Sequence, residues 1–123
     1  MLTTIDSVKG MNTSSTGDGV CLGSELQSGL ANDAEISTDG QSHIRFSVAV
    51  ADNEVDLAAP SVSVAGRVIV VSNVGADAAA LKEGGNVTGV TEVGGDGVAW
   101  PSGASQMFVW TGSKWSCMST TLS

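Results

Sequence analysis

Met107-Phe108-Val109-Trp110-Thr111-Gly112-Ser113-Lys114-Trp115-Ser116-Cys117-Met118 is the stretch from which the fold is read. Two apolar, aromatic-rich runs flank four turn-forming residues. Gly112-Ser113 suits a two-residue type II′ turn, whose first central position favours glycine. That turn sets Thr111 opposite Lys114, Trp110 opposite Trp115 and Phe108 opposite Cys117, so both indoles fall on one face of a β-hairpin. Opposed Cβ atoms in such a pair lie roughly 4.5–5.5 Å apart, and an aromatic pair adds about 0.2–1 kcal/mol over Ala–Ala.

The strand pattern continues upstream. Ile44, Phe46, Val48 and Val50 alternate with Arg45, Ser47 and Ala49, a period of two with one apolar face. Asp52-Asn53-Glu54 reads as a turn, Val55-Asp56-Leu57 as a short strand, and Val62 and Val64 alternate again beyond the break at Pro60. Arg67-Val68-Ile69-Val70-Val71 is β-branched and apolar on both faces, as in a central strand or one buried between subunits. Ser72 to Asp77 closes it as a loop. Ala78-Ala79-Ala80-Leu81-Lys82-Glu83 predicts a short helix ended by Gly84-Gly85, Asn86 to Val93 a strand interrupted by Gly89, and Val98-Ala99-Trp100 a strand stopped by Pro101. Sixteen Val and sixteen Gly, with only 2 Pro and no Tyr, agree with that pattern: branched Cβ atoms favour strands and Gly serves the turns. The expectation is an all-β fold, a small antiparallel β-sandwich or barrel occupying residues 43–123.

Residues 1–42 read differently, as an N-terminal arm or attachment segment. Met11 to Gly19 is polar and turn-prone. Leu22, Leu26 and Leu30 fall four apart and would stripe one face of a short helix, although Gly23 and Gly29 interrupt it. Leu2, Ile5 and Val8 suit an extended arm lying on another surface; a mobile tail is the other reading.

Charge and motif content exclude several functions. The chain has 123 residues with 5 Lys+Arg against 13 Asp+Glu, a net charge of −8, opposite to what phosphate recognition needs. Its composition, 41% hydrophobic and 15% charged, is that of a folded chain, and no run approaches the ~18–20 apolar residues of a membrane span. The start, Met1-Leu2-Thr3-Thr4-Ile5-Asp6, lacks the basic and apolar regions of a secretory signal, which predicts a soluble protein made in a cytoplasm without a signal peptide. His43 is the one histidine and has no nucleophile elbow or Cys-x-x-Cys pair beside it, so it reads as a strand-edge polar residue. Cys21 and Cys117 are expected to stay reduced, the second reading being a disulfide formed after release from the cell. Gly94-Gly95-Asp96-Gly97 starts like a calcium nonapeptide repeat, but Ala99 stands where that motif needs its Asp. Asp52, Glu54 and Asp56 alternate without the Gly and Glu of a calcium loop. Asn12-Thr13-Ser14 and Asn86-Val87-Thr88 are formal glycosylation sequons, of little meaning without secretion. Phosphate-loop and dinucleotide fingerprints are absent. No catalytic constellation, metal site or cofactor site is expected.

A β-domain of about 80 residues buries only a little over ~60% of its unfolded surface and is marginal alone, and oligomerisation is a common remedy. Val68, Ile69, Val70 and Val71, with Phe108, Trp110 and Trp115, exceed what one small sheet needs. They are the candidate intersubunit core.

Three segments carry a resemblance to a known family. Val55-Asp56-Leu57-Ala58-Ala59-Pro60, then Gly66-Arg67-Val68-Ile69-Val70-Val71-Ser72-Asn73-Val74-Gly75, then Phe108-Val109-Trp110-Thr111-Gly112-Ser113-Lys114-Trp115 are similar, in that order, to a module of tailed-bacteriophage surface proteins. That family comprises head fibres, capsid decoration (cement) proteins and tail-fibre segments. The likeness runs from about Asn53 to Met118; Gly95-Asp96-Gly97 only partly matches the family's Ile-Asp-Gly step, and residues 1–42 show none. The resemblance implies a non-enzymatic homotrimer on the virion surface, with neither nucleic acid nor membrane as partner. The short chain favours a cement protein binding the major capsid protein, its arm (Leu2, Ile5, Val8, Leu22, Leu26, Leu30) lying across neighbouring capsid subunits. The alternatives are a fibre or spike tip that stacks sugar rings on Trp100, Trp110 and Trp115, a small enzyme or carbohydrate-binding domain outside phage biology, and a head–tail adaptor.

Overall fold

The computed structural model describes residues 26–82, 85–89 and 97–118. Among these there is no helix, and about half lie in ten strands. In chain order they are β1 (Leu26–Leu30), β2 (Ala34–Ile36), β3 (His43–Val48), β4 (Glu54–Leu57), β5 (Val68–Asn73), β6 (Ala79–Leu81), β7 (Val87–Thr88), β8 (Val98–Trp100), β9 (Ser105–Trp110) and β10 (Trp115–Cys117). The fold is all-β, as expected.

Its topology is a winding one. From β1 to β8 the odd strands enter one sheet and the even strands the other. The first sheet has six strands in the order β1-β3-β5-β9-β10-β7 and the second has four in the order β2-β4-β6-β8. Because the chain crosses to the other sheet and returns before adding a strand, β1, β3 and β5 run parallel, and so do β2, β4 and β6. A parallel neighbour needs a long crossover, usually a helix; here a strand of the opposite sheet makes it. Among the described residues, antiparallel pairing comes only with β8 on β6 and with β9, which joins β5 to β10. The sandwich expectation is therefore corrected from antiparallel to mixed pairing.

The core lies between the sheets and follows the alternation of each strand. Ile44, Phe46 and Val48 of β3, Ile69 and Val71 of β5, Phe108 and Trp110 of β9, and Trp115 and Cys117 of β10 point inward from the six-stranded sheet. Ile36, Val55, Leu57, Leu81, Val98 and Trp100 meet them from the four-stranded one. Trp100 joins the layers: its ring lies edge-on to Phe46 with centroids 5.0 Å apart and 5.8 Å from Phe108. Its indole N–H donates to the Ala104 carbonyl at 3.0 Å, which satisfies the one polar atom the ring brings inside.

The last hairpin has the register read from the sequence, with Trp110 beside Trp115, Val109 beside Ser116 and Phe108 beside Cys117. The indole centroids are 5.2 Å apart, the Thr111 N–H donates to the Lys114 carbonyl at 2.8 Å, and Gly112 takes φ +106° in the turn.

Three local expectations fail. Ala79-Ala80-Leu81 is a strand, because β4 on one side and β8 on the other supply the backbone partners that a single isolated helical turn would lack. Val62 and Val64 lie outside any strand and are exposed; Ser63 between them accepts the Trp110 indole N–H at 2.8 Å and donates to the Gly112 carbonyl at 3.2 Å, so hydroxyl contacts hold this segment. The division at residue 42 also shifts. Leu26 and Leu30 lie on β1, paired parallel to β3, and Ile36 of β2 is fully buried, so the described part of the supposed arm belongs to the sandwich. Pairing with the alternating β3 is available to the Leu26–Leu30 segment, whereas Gly29 at φ +66° is hostile to a helix. The Gln27 side chain then bridges the two sheets at that end, donating to Ser37 O at 2.9 Å and accepting from Ser37 N at 2.8 Å.

Candidate functional site

Strand alternation that sends one set of side chains into the core presents the other set on two outer faces. The outer face of the six-stranded sheet carries Leu26 on β1; His43, Arg45 and Ser47 on β3; Val68, Val70 and Ser72 on β5; Ser105, Met107 and Val109 on β9; and Ser116 on β10. Register places Val68 beside Val109 and Val70 beside Met107, so four apolar side chains form one stripe across the β5–β9 seam. Val68 is 43% and Met107 44% exposed, with Val70 and Val109 half-buried between them.

Next to the stripe, a polar row crosses three strands. His43 Nε2 lies 3.0 Å from Ser72 Oγ, which lies 2.6 Å from Ser105 Oγ. A histidine joined to a serine suggests nucleophilic chemistry, but catalysis also needs a group orienting the imidazole and donors for a developing oxyanion. The strands carrying this row bring no carboxylate to orient the imidazole: none of the six strands of this sheet contains Asp or Glu. The row is a stitch between β3, β5 and β9.

The second outer face is of opposite character. It carries Glu35 of β2 and Glu54 and Asp56 of β4, with Ala80 and Ala99 beside them. Asp56 is buried because Gly85 and Asn86 pass over it, and its carboxylate accepts the Asn86 N–H at 3.1 Å from both oxygens and the Leu57 N–H at 2.9 Å. Asn32, Asp52, Glu54, Ala79, Ala80, Gly97 and Ala99 line a shallow, open depression of about 600 Å³ on this side. Gly97 has φ +82°, and a Cβ there would lie 3.1 Å from the Leu81 carbonyl, so only glycine closes the rim without strain. Among the described residues, no group of three or more His, Cys, Asp or Glu is arranged to hold a metal ion.

Between the faces, Arg67 ties down the 38–41 loop. Its guanidinium donates to the carbonyls of Thr38 and Gln41, the latter at 3.0 Å, approaches Asp39 at 3.8 Å and lies 5.9 Å from the Trp115 ring centroid. Asp39 also accepts the Ser61 hydroxyl and, at 3.0 Å, the Ser61 N–H. These bonds to Ser61, with a smaller contribution from Arg67, hold the Asp39 carboxyl below its ordinary pKa.

The residues expected to form an intersubunit core divide by face. Ile69, Val71, Phe108 and Trp115 have no exposure and Trp110 has 3%, so they belong to the chain's own core and are not available to a partner. Val68 and Val70 remain on the outer face. Met107 and Val109 were missed; their signal was alternation with Phe108 and Trp110 on the same strand. Of the residues assigned to a capsid-binding arm, Leu26 is partly exposed on an edge strand, Leu30 packs against the core, and Leu2, Ile5, Val8 and Leu22 lie outside the described residues. Trp100 is fully buried like Trp115, so the three indoles offer no stacking platform for sugar rings. Cys117 is buried, and Cys21 lies outside the described residues. Compared with protein-family models and with curated proteins, the chain matches none.

Proposed function

We propose that this chain is a non-enzymatic structural protein of a tailed-phage virion: a decoration protein, made in the host cytoplasm, that binds and stabilises the major capsid protein lattice as a homotrimer. The observation that carries this reading is the outer face of the six-stranded sheet. It presents an apolar stripe and polar side chains bonded to one another, with no carboxylate on its strands, the surface of a module that docks. The segment similarities around Val55–Pro60, Gly66–Gly75 and Phe108–Trp115 supply the virion setting. The burial of Trp100, Trp110 and Trp115 removes the basis on which a glycan-binding tip would compete. Many modest, symmetric contacts add through effective concentration on a lattice, so a small protein can hold a capsid against internal pressure.

The test is co-sedimentation of the purified chain with phage capsids assembled without it. Saturable binding at a fixed number of copies per capsid protein, with capsids surviving higher temperature when decorated, is the expected result. Failure to sediment with the capsids, or binding at a single vertex only, overturns the reading.

A further inference from the structure

We infer that copies of this chain meet through the outer face of the six-stranded sheet, with Val68, Val70, Met107 and Val109 as the centre of the contact; the inference deepens the assembly reading above and rests on it.

The argument starts from where charge is placed. The chain carries a net charge of −8, so two copies repel over most approaches. The strands of the six-stranded sheet nevertheless contain no acidic residue, whereas the shorter four-stranded sheet carries Glu35, Glu54 and Asp56. Asp33, Asp39, Asp52 and Asp77 lie in the connections between strands. Two such sets of strands can approach without stacking one strand carboxylate on another, and each offers the other an apolar stripe.

Hydrogen bonding points the same way. Covering a polar group is costly unless it is bonded. On this face Ser72 Oγ already lies within hydrogen-bond distance of both His43 Nε2 and Ser105 Oγ, so the flank of the stripe can be covered with those partners in place. The other exposed large apolar side chains on connections, Val50, Val62, Val64 and Val74, lie between β3 and β4, between β4 and β5 and between β5 and β6, outside the strands that form the stripe.

The choice of occupant follows from the same charges. A basic partner would be drawn to the four-stranded face, and an acidic one would find only His43 and Arg45 among the strand residues here. A second copy presents a stripe of matching chemistry. In a trimer the three faces turn toward the axis, leaving the acidic faces outward in solvent.

The experiment compares full-length wild type, Val70→Glu, Met107→Glu and the control Val62→Glu by sedimentation velocity at tens of micromolar, with circular dichroism and thermal melting to show that each is folded. The wild type and Val62→Glu are expected to sediment as the same closed oligomer. The two face variants are expected to be folded and to associate at least roughly tenfold more weakly. A monomeric wild type overturns the inference, as does an oligomer that both face variants retain. A monomer that still saturates capsids would remove this contact while leaving the decoration reading in place. Capsid binding lost in Val70→Glu by such a monomer would assign the face to the capsid protein instead.

Discussion

Asn73 shows how much of this sandwich depends on single polar atoms. It ends β5 with no solvent exposure, and its Nδ2 donates to the carbonyls of Asp77 at 3.0 Å and Trp100 at 3.1 Å, while its Oδ1 accepts the Gly75 N–H at 3.1 Å. One amide thus joins the end of a central strand, the loop that follows it and β8 of the other sheet. Asn73→Leu keeps the volume and removes all three partners. Each buried group left unsatisfied costs about 1–3 kcal/mol, so the midpoint of urea unfolding should fall by an amount equivalent to at least about 2 kcal/mol. An unchanged midpoint would mean that solvent reaches these carbonyls. Asp39 acts at the same scale but through pH. Its carboxyl titrates lower in the fold than in the unfolded chain, because the Ser61 hydroxyl and N–H, and then Arg67, favour the ionised form. The stabilisation is therefore complete above the unfolded carboxylate's pKa and is lost as pH falls through the folded value. The Asp39 side chain is 50% exposed, so the effect is small. Asp39→Asn should lower the thermal midpoint slightly at neutral pH and converge with wild type in acid. Melting curves that stay equally separated down the acid limb would refute this account.

At the level of elements, the closing hairpin shows what a sequence specifies locally. The Trp110–Trp115 register follows from a two-residue turn, and the turn follows from Gly112. At φ +106° with only Ala65 Cβ near, at 3.9 Å, an added Cβ meets open space and the whole cost is conformational. Gly112→Ala should therefore destabilise by about 1–3 kcal/mol without altering the dependence of unfolding on denaturant. An equally stable alanine variant would show that the turn relaxes to another type. Strand β3 was equally legible, because Ile44, Phe46 and Val48 alternate with polar residues. Strand β6 was not: Ala79-Ala80-Leu81 has no period, and alanine favours a helix until β4 and β8 supply the sheet. Strand β5 was half legible. A run apolar on both faces says that both are covered or coverable, but not by what. Ile69 and Val71 proved to face the chain's own core, and Val68 and Val70 the outside. The carboxylate-free outer face was hidden for the same reason, since Glu35, Glu54 and Asp56 are set apart from the strands of the other sheet only when alternate strands enter different sheets.

Over the whole molecule, that winding explains both why its turns share no sequence period and how stability should be distributed. Leu26 lies beside Arg45, nineteen residues on, whereas His43 lies beside Val70, twenty-seven on; Ala34 and Val55, then Glu54 and Ala80, are twenty-one and twenty-six apart. Turns of such unequal length share geometry but no sequence period. Each turn rests on its neighbours, as in a solenoid, so the turns should differ in how readily they open. The β1–β2 turn occupies the edge of both sheets, and its strands bury little beyond Ile36 and part of Leu30. β5 is flanked by β3 and β9, with Ile69, Val71, Ser72 and Asn73 buried. Amides of β5 and β9 should consequently exchange with solvent at the rate of global unfolding, and those of β1 and β2 through a cheaper opening that leaves the rest intact. Hydrogen-exchange mass spectrometry resolves the two: protection of the 26–36 segment that lags well behind that of 68–73 and 105–110 is the expected pattern. If the segments exchange together, the first turn is no separable unit, and residues 26–118 unfold in a single cooperative step.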